Sequence, residues 1–199
     1  MARPSRRAAR LLGAGAAAAC LAASAAVVWQ ASYSAFSAPT ANPSSNWATG
    51  TVALTDDDSN TAMFSASNLK PGSTGSKCIA VTSTGTLPSA VKLYGTAATT
   101  TNALSSWISL TITQGTGGSF GSCTGFTPLA SGSSVYSGTL AAFGSSATGY
   151  GTGLGSWTPT GSGSDTRVFQ ISYSFDPAAP NSTQGGTAAL GFTWEAQNT

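Results

Sequence analysis

The sequence predicts an all-β protein: a single antiparallel β-sandwich, jelly-roll-like or Ig-like, preceded by a signal peptide. Three observations carry this. Beyond residue 46, apolar residues recur with a period of two in short runs separated by Gly, Ser, Thr and Pro. No segment there shows a 3.6-residue period with caps. The first 34 residues have the basic, apolar and small-residue parts of an export leader.

The leader comes first. Arg3, Arg6, Arg7 and Arg10 precede a largely apolar run over residues 11–29. The arginines hold the cytoplasmic side while the run enters the bilayer. Signal peptidase has shallow pockets for the first and third residues before the bond. Ser34 and Ser32 fill them for a cut before Ala35; Ser37 and Ala35 would serve a cut after Ser37. The expected mature chain starts Ala35-Phe36. An uncleaved anchor is the competing reading, since the run nears spanning length, but its Ala and Gly insert weakly. A lipoprotein cut before Cys20 lacks the larger apolar residue three places earlier, and the apolar run continues past it. Membrane contact is thus expected only through the uncleaved leader, and signal peptidase is the partner during export.

Residues 35–46 read as a polar, uncharged segment led by Phe36 that need not belong to the sandwich of its own chain. The sandwich begins with alternation over residues 49–54, placing Val52 and Leu54 on one face. Residues 62–66 read as a strand with Phe64 inward. Asn68-Leu69-Lys70-Pro71-Gly72 is a turn, where Pro presets φ and Gly supplies a positive one. Residues 76–83 give the clearest alternation, Ile79 and Val81 opposing Cys78, Ala80 and Thr82. A strand follows over residues 90–94. In residues 104–114, Ile108, Leu110 and Ile112 oppose Ser109, Thr111 and Thr113. Residues 115–127 form a Gly/Ser loop, 134–143 a short strand or a turn, and 144–163 a low-complexity loop around Trp157. Phe169, Ile171, Tyr173 and Phe175 then fall in register. After a turn at 177–186, so do Ala188, Leu190, Phe192 and Trp194. Seven to nine short strands suit two layers, with no internal repeat and no second domain.

Four of the eight basic residues lie in the leader. The rest of the chain holds Lys70, Lys77, Lys92 and Arg167 against Asp56, Asp57, Asp58, Asp165, Asp176 and Glu195, four minus six, or −2. No basic patch exists to hold nucleic acid. So little charge also leaves edge strands poorly guarded against a second copy. With Cys20 in the leader, Cys78 and Cys123 remain as an even pair for an oxidising compartment. Their bridge would close a loop of 46 residues and contribute about 4 kcal/mol by loop-closure entropy.

Several segments resemble one family in order and spacing. Tyr33-Ser34-Ala35-Phe36-Ser37 looks like the junction cut by SipW-type signal peptidases. Trp47-Ala48-Thr49-Gly50-Thr51-Val52-Ala53-Leu54 is similar to the "aGtvdL" strand. Phe64-Ser65-Ala66-Ser67-Asn68-Leu69-Lys70-Pro71-Gly72 resembles "f…nLkPGd", and Ser76-Lys77-Cys78-Ile79-Ala80-Val81-Thr82-Ser83-Thr84-Gly85 the "I.V.NtG" strand. The set, within residues 20–115, resembles the TasA/camelysin (CalY) family. The resemblance implies a secreted jelly-roll-like sandwich that polymerises with itself into extracellular surface or biofilm-matrix fibres. It also implies a freed N-terminus, here Ala35, Phe36 and the residues after them, that adds as a strand to a neighbour. Camelysin has been described as a metalloprotease, but this chain has no histidine and no His-Glu-x-x-His. It also departs from the lysine-rich, cysteine-free members.

Candidate sites are few. Asp56, Asp58 and Asn60 offer oxygens for calcium, but an EF-hand loop counted from Asp56 needs Gly where Thr61 stands and Glu where Ser67 stands. The plainer reading is a solvated loop. No histidine can act as base or zinc ligand, and Lys70, Lys77 and Lys92 show no nucleophile context for a Ser-Lys system. The glycines of 149–155 precede no Lys-Ser/Thr, so they cradle no phosphate. No cofactor and no enzyme activity are expected. Trp47, Trp107, Trp157 and Trp194 raise sugar stacking, with Trp157 the most exposed candidate in a Gly-rich loop. The expectation is a secreted structural subunit, against a monomeric cell-wall or glycan-binding module.

Overall fold

Two antiparallel sheets pack face to face over a core whose buried strand residues come from five strands. The structure, a computed structural model, describes residues 49–199. The larger sheet runs β1 (Leu54–Asp56), β2 (Thr74–Ser83), β8 (Asp165–Phe175), β4 (Ile108–Thr116), with β5 (Thr127–Pro128) and β6 (Ser134–Thr139) both on the far side of β4. The smaller runs β7 (Leu154–Trp157), β3 (Ser89–Thr100), β9 (Ala188–Asn198). Every pairing between these strands is antiparallel. The fold is therefore the expected β-sandwich.

The period-two pattern sets the register. Ile79 pairs with Phe169 and Lys77 with Ile171, while Ile112 faces Ile171 and Leu110 faces Tyr173. These share the inner face, where Ile79, Val81, Leu110, Ile112, Phe169 and Ile171 are buried against Val91 and Leu93 of β3. The outer face of the large sheet carries the opposite parity. Thr74, Ser174, Ser109 and Thr139 lie side by side, as do Ser76, Ser172, Thr111 and Ser137. The alternation is that of a sheet with one face on a core and one in water.

Four expectations are corrected. Residues 62–66 form no strand, although Phe64 does point inward, edge-on to Tyr173 at 5.3 Å. The first strand begins only at Leu54, since Thr51 and Ala53 instead accept bonds from Thr84, Thr86 and Leu87. Residues 140–146 form a helix, α1 (Leu140–Ser146), where only strand or turn was expected. Thr139 caps it, its hydroxyl accepting from the Ala142 N–H at 3.1 Å. Seven residues are too few to display a period, yet the helix carries the fully buried Phe143 into the core against Tyr136 and Phe192. Finally, the supposed loop around Trp157 is strand β7. Trp157 is 3% exposed, donates from Nε1 to Asp165 at 3.0 Å, and lies under the Arg167 guanidinium.

Candidate functional site

The two long inner strands of the large sheet are flanked on both sides. β9 is not. Its eleven residues pair with β3 along one edge, and among the described residues no strand pairs with the other. Its inward residues Leu190, Phe192 and Trp194 stay half-buried because the sandwich gapes on that side. Residues 61–69 run along the opposite lip of the gap.

Between these lips lies a groove made of three adjoining hollows of about 750, 440 and 430 Å³. The middle part is the most apolar, lined by Phe64, Leu69, Leu110, Leu140, Tyr173 and Phe192. Tyr173 reaches the floor because its partner across the ladder is Gly75, where a Cβ would collide with the ring. One end is walled by Asp58, Asn60, Ile79 and Trp194. The other is rimmed by Ser67, Asn68, Asn181 and Gln184 over Leu104 and Phe175. From Ala188 to Trp194 the groove follows seven strand residues, roughly 20 Å at strand rise. β9 carries one charged residue, Glu195, which accepts from the Tyr94 hydroxyl at 2.8 Å. Bonds from Gln197 and then Tyr94 hold its carboxyl below the usual glutamate range.

The edge of β2 is treated otherwise. β1 covers Val81 to Ser83. Asp57 then takes over with its side chain: Oδ1 accepts from the Ala80 N–H at 2.9 Å and Oδ2 from the Phe120 N–H at 2.7 Å. Gly121 donates to the Cys78 carbonyl at 2.9 Å. The loop bearing Phe120 and Gly121 is tied down by the Cys78–Cys123 disulfide, Cα atoms 5.1 Å apart. That explains why Cys78, on the outer face, is fully buried. The expected bridge is present and fits an oxidising compartment.

The acidic triplet thus splits. Asp57, not singled out from the sequence, is the structural clamp. Asp56 and Asp58 turn back on their own loop, accepting from the Asp58 and Asn60 N–H groups at 3.4 and 2.7 Å. Burial lifts the Asp56 carboxyl above the ordinary aspartate range, and the Asp58 and Asp57 carboxylates beside it add to the rise. No group of three or more His, Cys, Asp or Glu converges among the described residues. Lys92 is engaged by the Gly155 carbonyl at 2.7 Å, and Lys77 lies 5.9 Å over the Phe64 ring.

No known family matches the chain, and no curated protein does. No helix among the described residues is long and apolar enough to cross a membrane. Ser32, Ser34, Ala35, Phe36 and Trp47 lie outside the described residues.

Proposed function

We propose that this protein is a secreted structural subunit of extracellular surface or biofilm-matrix fibres, assembled by strand addition in the manner of the TasA/camelysin family it resembles. The observation that carries the reading is the edge of β9, unpaired among the described residues, beside an apolar groove. An open edge offers a row of N–H and C=O groups to another strand, and strand addition draws specificity from side-chain pockets along it.

The occupant is residues 35–46 of a neighbouring copy, freed by a cut after Ser34. That segment has no charged side chain, its one charge being the new amino terminus, which suits the apolar middle of the groove, and Phe36 supplies an apolar ring. Twelve extended residues reach about 40 Å, ample for the groove. Pro39 and Pro43 are four apart, so their missing N–H groups fall on one edge of the strand. The other edge keeps its donors for β9. The alternative, a monomeric wall- or glycan-binding module, loses its best ring, since Trp157 is buried.

Electron microscopy of the protein starting at Ala35 tests this. Filaments are expected, and removal of residues 35–46 abolishes them while the circular dichroism of the sandwich is unchanged. Filaments that survive the truncation refute the reading, as does a full-length subunit that stays monomeric at high concentration.

A further inference from the structure

Residues 61–67, Thr-Ala-Met-Phe-Ser-Ala-Ser, carry the alternation of a strand and face β9 across the groove, yet among the described residues they pair with no strand, the Thr61 N–H bonding only within its own turn to the Asp58 carbonyl. Among the described residues, no backbone N–H from Ala62 to Leu69 finds an acceptor. Two main-chain rows without a strand partner among the described residues thus line one gap. Exposed backbone of this kind bonds to water and can exchange it for a strand partner. Both ends of the segment turn through left-handed residues that are not glycine: Ser59 (φ 52°) and Asn60 (φ 61°) before it, Asn68 (φ 56°) after it. Asn tolerates that region better than most residues, so these are natural pivots. Two side chains anchor the segment: Phe64, through Tyr173 and Lys77, and the half-buried Met63, packed against the core.

We infer that residues 61–67 are a strap that closes the groove. Pivoting at Asn60 and Asn68, their backbone pairs with the outer edge of β9 and shuts out a strand from another molecule. Its purpose rests on the strand-acceptor reading above; its existence does not. A groove that is open one-tenth of the time shows an apparent dissociation constant about tenfold above the intrinsic one. The strap would thereby keep subunits apart when dilute and give way to a neighbour's strand when crowded.

Amide hydrogen exchange on the purified protein, held dilute enough to stay monomeric, tests the strap. Alternate amides of residues 62–66 and the outward amides of β9 are expected to be protected about tenfold, the closed fraction just given. Ser65→Pro and Ala66→Pro each remove an N–H that is unbonded in the open form. Neighbouring residues point to opposite edges of a strand, so one of the two lies on the pairing edge. That variant loses the protection and binds a synthetic peptide of residues 35–46 about tenfold more tightly. An unprotected wild-type segment, or protection that survives both prolines, overturns the strap. Protection that vanishes with proline while the peptide binds neither protein upholds the strap and sinks the strand-acceptor reading instead.

Discussion

Changing Cys78 and Cys123 together to serine should cost this fold about 4 kcal/mol, and the cost should be shared with Asp57. The bridge joins residues 45 apart, and loop-closure entropy gives about 4 kcal/mol for that length. In a domain of this size that is a fall in Tm of roughly 8–16 °C. Asp57 grips the same loop from the other side through the Phe120 N–H, and grips β2 through the Ala80 N–H. The carboxylate is solvent-exposed, so each bond is taken below the range of a charged acceptor, at the ordinary net value of about 1 kcal/mol. Asp57→Ala then costs about 2 kcal/mol in the oxidised protein. Without the bridge the loop is loose and its bond to Asp57 is already lost, leaving only the Ala80 bond. The same substitution there costs about 1 kcal/mol, a coupling of about 1 kcal/mol. Urea unfolding of the four proteins, read as midpoint and slope, measures it. Losses that add to within about 0.3 kcal/mol would show that Asp57 and the bridge hold independent structures. A serine pair costing under about 1 kcal/mol would show that loop closure is not what the bridge contributes.

Two further outcomes follow from the packing. Phe143→Ala should cost about 3–5 kcal/mol, because a fully buried ring is removed from between Tyr136 and Phe192; a loss under about 1 kcal/mol would mean that α1 does not close the core. The depressed Glu195 carboxyl contributes stability that is present above its unfolded value and lost as pH falls through the lower folded one. Tyr94→Phe should therefore move its titration upward in a carboxyl NMR experiment, and an unmoved titration would leave the shift to Gln197 alone.

The strands that alternate strictly were legible. Ile79 and Val81, Leu110 and Ile112, Phe169 and Ile171 occupy the inner face that their parity assigns. Short elements were not. Leu140–Ser146 spans too few residues to show a period, and its signal was the Thr139 cap. β7 hides among glycines, yet Trp157 is an expensive ring to leave in water, and its burial against Phe169 and Arg167 is the outcome. Residues 62–66 failed in the opposite sense. Their local preference for a strand is real, but pairing depends on a neighbour, and periodicity carries no information about neighbours. For the same reason the register of Leu190 and Phe192 did not show that the face they pack on the core also lines a groove. Asp57 stood inside a visible cluster, and only its two backbone partners distinguish it from Asp56 and Asp58.

The treatment of edges links the fold to the proposed assembly. With only 7% charged residues, the chain has few lysines to repel a second copy from an open strand. It covers β2 by other means: a three-residue strand, a carboxylate standing in for carbonyls, and a loop bound by a disulfide. β7 is four residues long and its pairing with β3 shifts register, which blunts that side. Such devices recur wherever an open edge would otherwise promiscuously recruit neighbours. Among the described residues β9 has none of these fixed devices over its eleven residues, only the proposed strap of residues 61–67 across the apolar gap beside it. In the proposed assembly, a long edge covered by fixed devices and another guarded only by a movable strap favour strand addition at β9, and with it growth as a chain of subunits rather than as an unordered aggregate.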